Sequence, residues 1–149
     1  MDETPQDAQG QWIEVPSILE VSLALDGDGA RIAEARRLAA DFLSTVRDTH
    51  GIPVATSSVE ITQLIVSELV TNARKYAPGP ALLHLRIIDQ MLQVELWDSS
   101  PVLPATKAPN PERIGQHGLE IVTALAQKVT VEATTVGKRV TAAVALDAR

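Results

Sequence analysis

The chain has 149 residues, 13 Lys and Arg against 19 Asp and Glu, and a formal charge of −6; that length fits one domain able to bury its own core. Without cysteine it holds no disulfide framework, thiolate metal site or cysteine nucleophile, which fits a reducing compartment. Every Lys and Arg lies at Arg31 or later while residues 1–30 carry seven acids, so a basic nucleic-acid footprint is absent, and Trp12, Phe42, Tyr76 and Trp97 are too few for a base-stacking platform.

No apolar run approaches the ~20 residues of a membrane span, and the acidic opening Met1-Asp2-Glu3 reads as neither signal nor transit peptide. Residues 1–18 are polar and aperiodic and read as a flexible acidic arm, with residues 19–149 as the domain proper. Setting the arm aside leaves that domain at −2.

Glu20–Leu25 alternates as a strand and is closed by Asp26-Gly27-Asp28-Gly29. From Arg31 to about Arg47, the residues Ile32, Ala35, Leu38, Ala39, Phe42 and Val46 form one stripe of an amphipathic helix. Gly51-Ile52-Pro53 ends it. A second helix opens on Ser57-Ser58-Val59-Glu60, whose hydroxyl and carboxylate three residues apart suit a capping box. It runs to about Tyr76, with Ile61, Leu64 and Ile65 on its apolar stripe, and stops at Pro78-Gly79-Pro80. Ala81–Ile88 and Met91–Trp97 read as a hairpin across Asp89-Gln90. In the second of these strands Leu92, Val94 and Leu96 face one way and Gln93, Glu95 and Trp97 the other.

Residues 99–113 hold four prolines and no pattern, a length that marks a functional or disordered loop. Gly118 to about Ala126 reads as a third helix, and Val129–Thr134 with Arg139–Leu146 as a closing hairpin. Antiparallel hairpins with the helices grouped on one face give an α+β two-layer sandwich with a mainly antiparallel mixed sheet.

Three places could carry chemistry. Glu68 and Asn72 stand four residues apart on one helix face, next to an apolar stripe. Burying either without a partner is costly, so they are either a polar pair at the core edge or part of a site. Asp98, at a strand end, could accept from an exocyclic amine, or simply start the turn Asp98-Ser99-Ser100-Pro101. Gly115-Gln116-His117-Gly118 leads into a helix, where backbone N–H groups and the helix dipole favour phosphate; the alternative is an ordinary loop end. His50, His84 and His117 lie on different elements, and nothing gathers them.

Taken in order, these places resemble the GHKL nucleotide-binding superfamily (the Bergerat fold), and within it the anti-sigma-factor serine/threonine kinases (RsbW- and SpoIIAB-like). Ser67-Glu68-Leu69-Val70-Thr71-Asn72-Ala73 resembles the N box of that family. Trp97-Asp98-Ser99-Ser100-Pro101 resembles its first glycine box and Gly115–Val122 its second. Gly137-Lys138-Arg139-Val140-Thr141-Ala142 resembles the hairpin signature that follows. The resemblance spans about residues 20–146.

It implies that Asn72 coordinates Mg²⁺ on the phosphates of ATP, that Glu68 is the general base for an attacking hydroxyl, and that Asp98, with Ser100 beside it, selects adenine. Gly115 and Gly118, with the backbone of His117 and Leu119, would wrap the phosphates, and Lys75 would pair with one of them or stand as a solvated lysine at the helix end. Residues 99–113, with Lys107 and Arg113 as cations, would be the lid. The partners implied are an anti-sigma antagonist that receives phosphate and a sigma factor that is sequestered, in the cytoplasm, with a homodimer possible.

The chain departs from the pattern at Ser100, Val102, Gln116 and Glu120, where glycines are common. Glu120 would also place an acid in the first helical turn facing phosphate. A second reading is therefore a non-catalytic GHKL-fold module that controls a protein contact. A third, a detached histidine-kinase catalytic domain, lacks a phosphoacceptor histidine in residues 1–19.

Overall fold

The computed structural model describes residues 19–25, 31–76, 79–99, 116–135 and 137–147. The proposed arm, the lid segment, Ser100 and Gly115 lie outside the described residues.

The elements follow as β1 (Glu20–Leu25), α1 (Arg31–Asp48), α2 (Thr56–Tyr76), β2 (Ala81–Ile88), β3 (Met91–Asp98), α3 (Gln116–Leu125), β4 (Lys128–Ala133) and β5 (Lys138–Ala145). The strands form one sheet in the order β1-β2-β3-β5-β4, every neighbouring pair antiparallel. The architecture is the α+β sandwich expected, with a sheet that is antiparallel throughout.

Alternation decides which side of the sheet is covered. Leu83, Leu85 and Ile87 of β2, Leu92, Val94 and Leu96 of β3, and Val140, Ala142 and Val144 of β5 share one face and are buried. The helices pack on that face: α1 against β1, α2 against β3 and β5, and α3 against β4 and β5. They lie side by side with α2 in the middle. Ala35, Ala39, Leu43 and Val46 of α1 and Ile65, Val66, Leu69, Val70 and Ala73 of α2 complete the core.

Two helix ends have clear local causes. Gly51 closes α1 in the left-handed conformation, at φ 69°, and its N–H donates to the Arg47 carbonyl at 3.2 Å; a residue with a Cβ is strained there. α2 starts one residue earlier than the expected Ser57. The helix begins at Thr56, and the Ala55 carbonyl accepts from the N–H groups of Ser58 and Val59, which places Ser57 inside the first turn. This start is tethered to β5: the Ala55 N–H donates to the Leu146 carbonyl at 2.8 Å and the Ser58 hydroxyl to the Ala145 carbonyl at 2.8 Å.

The β2–β3 hairpin turns through Asp89 and Gln90, both at positive φ (51° and 64°), the conformation that a two-residue type I′ turn requires. On the helix-free face, His84 stands between two carboxylates. Its Nε2 lies 2.6 Å from Glu20 and its Nδ1 3.2 Å from Glu95, and Arg86 donates to Glu95 at 3.2 Å. These contacts join β1, β2 and β3 and account for an acid that is buried away from the helices. Further along that face Arg139 stacks on the Trp97 ring at 4.9 Å.

One expectation is corrected. Leu64 is 43% exposed, because it stands 100° around the helix from the fully buried Ile65 and falls outside the buried arc. Ile65→Ala should therefore cost about 2–5 kcal/mol in a denaturant titration, whereas Leu64→Ala should stay within about 0.5 kcal/mol. Equal losses would show that the face of α2 is assigned wrongly.

The neck of the closing hairpin makes a second demand. A Cβ on Gly137 would lie 1.9 Å from the Asp98 carbonyl oxygen and 2.7 Å from the Ser99 Cα, so the end of β3 must move if one is added. Gly137→Ala should lower the melting temperature by several degrees; an unchanged value would mean that the neck is not closed against β3.

Candidate functional site

The start of α2 is fixed to the end of β5. Ser58 is bonded to Ala145, at the C-terminal end of β5, and α2 then packs along β5 and β3. Fourteen residues of helix advance about 21 Å, close to the roughly 23 Å of strand that separates Ala145 from Lys138. Asn72 lies fourteen residues along α2 from Ser58, and Lys138, the cross-strand neighbour of Asp98, seven residues back along β5 from Ala145. Just after α3 the Gln127 N–H donates to the Ala143 carbonyl at 2.7 Å, and the helix packs against α2.

Asn72 is buried, 8% exposed, on the arc of α2 that faces the sheet. Glu68 is half-buried one turn earlier. Gln63, which donates to the Arg36 carbonyl at 3.2 Å, marks the flank of α2 that meets α1, and Glu68 stands on the opposite flank, where α3 packs. Lys75 is exposed, in the last turn where a cation suits the helix dipole.

Asp98 continues the parity of Leu92, Val94 and Leu96, so its side chain faces the helices. Lys138 does the same for Val140, Ala142 and Val144. The two meet: Lys138 Nζ lies 2.8 Å from Asp98 Oδ2, with the side chains 3% and 2% exposed. An ion pair so placed contributes little net stability, and a well-packed apolar pair often does as well. Breaking it from one side is another matter, since the remaining charge stays buried at a cost of about 3–5 kcal/mol.

Lys138 is the site residue that sequence reasoning missed. Its signal was present: a lysine two residues before Val140, with the parity of a buried stripe. Only the β3–β5 pairing, which is distant in sequence, shows what it faces.

The start of α3 also differs from expectation. The helix begins at Gln116, so Gln116, His117, Gly118 and Leu119 form its first turn, whose N–H groups have no intrahelical acceptor. Glu120, exposed, therefore lies past that turn. The reading that set a glycine-rich loop before the helix and an acid within its first turn is corrected on both points. Gly in a first turn is tolerated because few helical hydrogen bonds depend on it there.

Among the described residues, no three His, Asp or Glu side chains gather as a metal site, and no helix is long and apolar enough to cross a membrane.

Comparison with known proteins gives the family. The pattern described as the histidine kinase-like ATPase domain matches residues 27–144. Among solved structures, the chain is similar to the histidine kinase domain from Erythrobacter litoralis EL346 blue-light activated histidine kinase, with 19% identity and a TM-score of 0.48, over 75% of this chain. The match covers 61% of that structure, so the chain spans about three fifths of its length. The comparison with curated proteins found no match. The family pattern takes in α1 through most of β5, including Glu68, Asn72, Asp98 and Lys138, and on that match the chain belongs to the histidine kinase-like ATPase family of the GHKL superfamily.

Proposed function

We propose that the chain binds ATP with Mg²⁺ between α2, the ends of β3 and β5 and the start of α3, and transfers the γ-phosphate to a serine or threonine of a protein antagonist. In this reading it is a cytoplasmic regulator of the anti-sigma-factor type, which also sequesters a sigma factor. What supports it is a buried Asn72 with Glu68 one turn before it on α2, and a buried Asp98 at the end of β3, in a chain of this ATPase family.

The donor set fits the nucleotide. Mg²⁺ keeps several waters and takes few protein oxygens when phosphates supply the rest, so one amide oxygen from Asn72 suits a cation that arrives with ATP. Bound Mg²⁺ would neutralise charge on the phosphates. Glu68 would orient the attacking hydroxyl and take its proton. The hydroxyl oxygen forms a bond to the γ-phosphorus, the bond to the oxygen bridging to ADP breaks, and the proton passes to the Glu68 carboxylate. Asp98 would accept from the adenine amino group. Lys75 and the first-turn N–H groups of α3, around His117, Gly118 and Leu119, would meet phosphate oxygens. Ser100 and Gly115 would complete the base and phosphate contacts.

A second reading, a non-catalytic module that controls a protein partner, is favoured by one observation: the Asp98 carboxylate is already neutralised by Lys138 and shielded from solvent.

Purified protein incubated with γ-labelled ATP, Mg²⁺ and a candidate antagonist separates the two. Label should appear on serine or threonine of the antagonist. Glu68→Gln should slow the transfer by about 10²–10⁴-fold while ATP still binds, and Asn72→Ala should remove the dependence of ATP binding on Mg²⁺. No transfer, with ATP bound equally well by the wild type and Glu68→Gln, would leave the non-catalytic module.

A further inference from the structure

His84 sits half-buried in the middle of β2 on the helix-free face, and both of its ring nitrogens meet carboxylate oxygens. Nε2 lies 2.6 Å from Glu20 and Nδ1 3.2 Å from Glu95, whose other oxygen accepts from Arg86 at 3.2 Å. The charged groups that face the ring are therefore Glu20 from β1, Arg86 from β2 itself and Glu95 from β3. Beyond Glu95, the register places the uncharged Thr141 on β5. An ionised carboxylate only accepts, and a neutral imidazole carries one N–H. A neutral ring can thus serve one of the two acids, whereas an imidazolium serves both.

The two acids are not equivalent. The Glu95 side chain is 6% exposed and that of Glu20 46%. Leaving the buried carboxylate short of a donor costs more than releasing the one that water can solvate, so a ring with a single proton keeps Glu95. Glu20 is the contact that the second proton controls. It is the first residue of β1, an edge strand whose one neighbour in the sheet is β2. We propose that His84 is a proton-operated clasp on β1: as an imidazolium it ties Glu20 to Glu95 across β2, and on losing a proton it keeps Glu95 and releases Glu20. The clasp is closed at the acid end of the range in which histidine changes charge and open at its alkaline end. When it opens, β1 keeps its backbone ladder with β2 and its inner residues Val21, Leu23 and Leu25, so the start of the strand loosens while the sheet persists.

Two measurements on the full chain, each at about pH 5.5 and about pH 8, test this. The first is NMR of the isotopically labelled His84 ring nitrogens in the wild type. Both should carry hydrogen at the lower pH, and Nδ1 alone at the higher. The second is urea unfolding of the wild type, Glu20→Gln, His84→Gln and the double variant. Glu20→Gln should lower the folding equilibrium constant by about three- to fivefold at the lower pH, the range of a partly exposed ion pair, and by less than about twofold at the higher. In the His84→Gln background the same change should cost equally at both pH values. A ring with a single N–H at the lower pH, or with two at the higher, overturns the clasp. So does a loss on Glu20→Gln that is the same at both pH values with His84 in place. The ring measurement needs no variant, so the proposal stands or falls even if His84→Gln does not fold.

Discussion

Alternation in an antiparallel sheet gives Asp98 no choice of side. Leu92, Val94 and Leu96 are packed against the helices, and the next residue of that parity must face the same way. An ionised carboxylate in such a place needs a partner, and β5 supplies Lys138 directly across the ladder. Several features of this end of the molecule follow. The hairpin neck closes tightly enough to exclude any side chain at residue 137. β3 ends at the ion pair.

The opposite end of the sandwich is tied down, and that tether is what gives the open end its geometry. Ala55 and Ser58 bind the start of α2 to the last residues of β5, so the length of the helix sets where Asn72 arrives. The polar cluster of Glu20, His84, Arg86 and Glu95 lies on the other face of the sheet and takes no part in this arrangement. It joins the three strands β1, β2 and β3 on the face without helices.

Much of this was legible in the sequence. The limits of β1 and β2 follow directly from alternation, and the two-residue turn at Asp89-Gln90 follows from the spacing of the strands it joins. Glu68, Asn72 and Asp98 could be singled out because each sets a polar group on a stripe that otherwise buries apolar ones. What escaped depended on contacts between distant segments. The pairing of β3 with β5 is not written in either strand alone, so Lys138 looked like an ordinary hairpin lysine. The tether of Ala55 and Ser58 to β5, at the start of α2, joins segments far apart in the chain. The third helix was expected from Gly118, yet it begins two residues earlier at Gln116, since a first turn depends little on the residue's own propensity. Leu64 fitted the apolar spacing but stood at the edge of the arc, where helix rotation decides exposure.

The central claim is that one rim of this sandwich, and not its helix-free face, receives a nucleotide. The most direct measurement is an amide NMR titration of the isotopically labelled chain with ATP and Mg²⁺. The expected result is a set of shifts confined to residues near Glu68–Lys75, Asp98, Gln116–Leu119 and Gly137–Lys138, with Ser22, His84 and Thr130 unmoved. No shifts at saturating nucleotide, or shifts centred on His84 and its neighbours across the sheet, would contradict it.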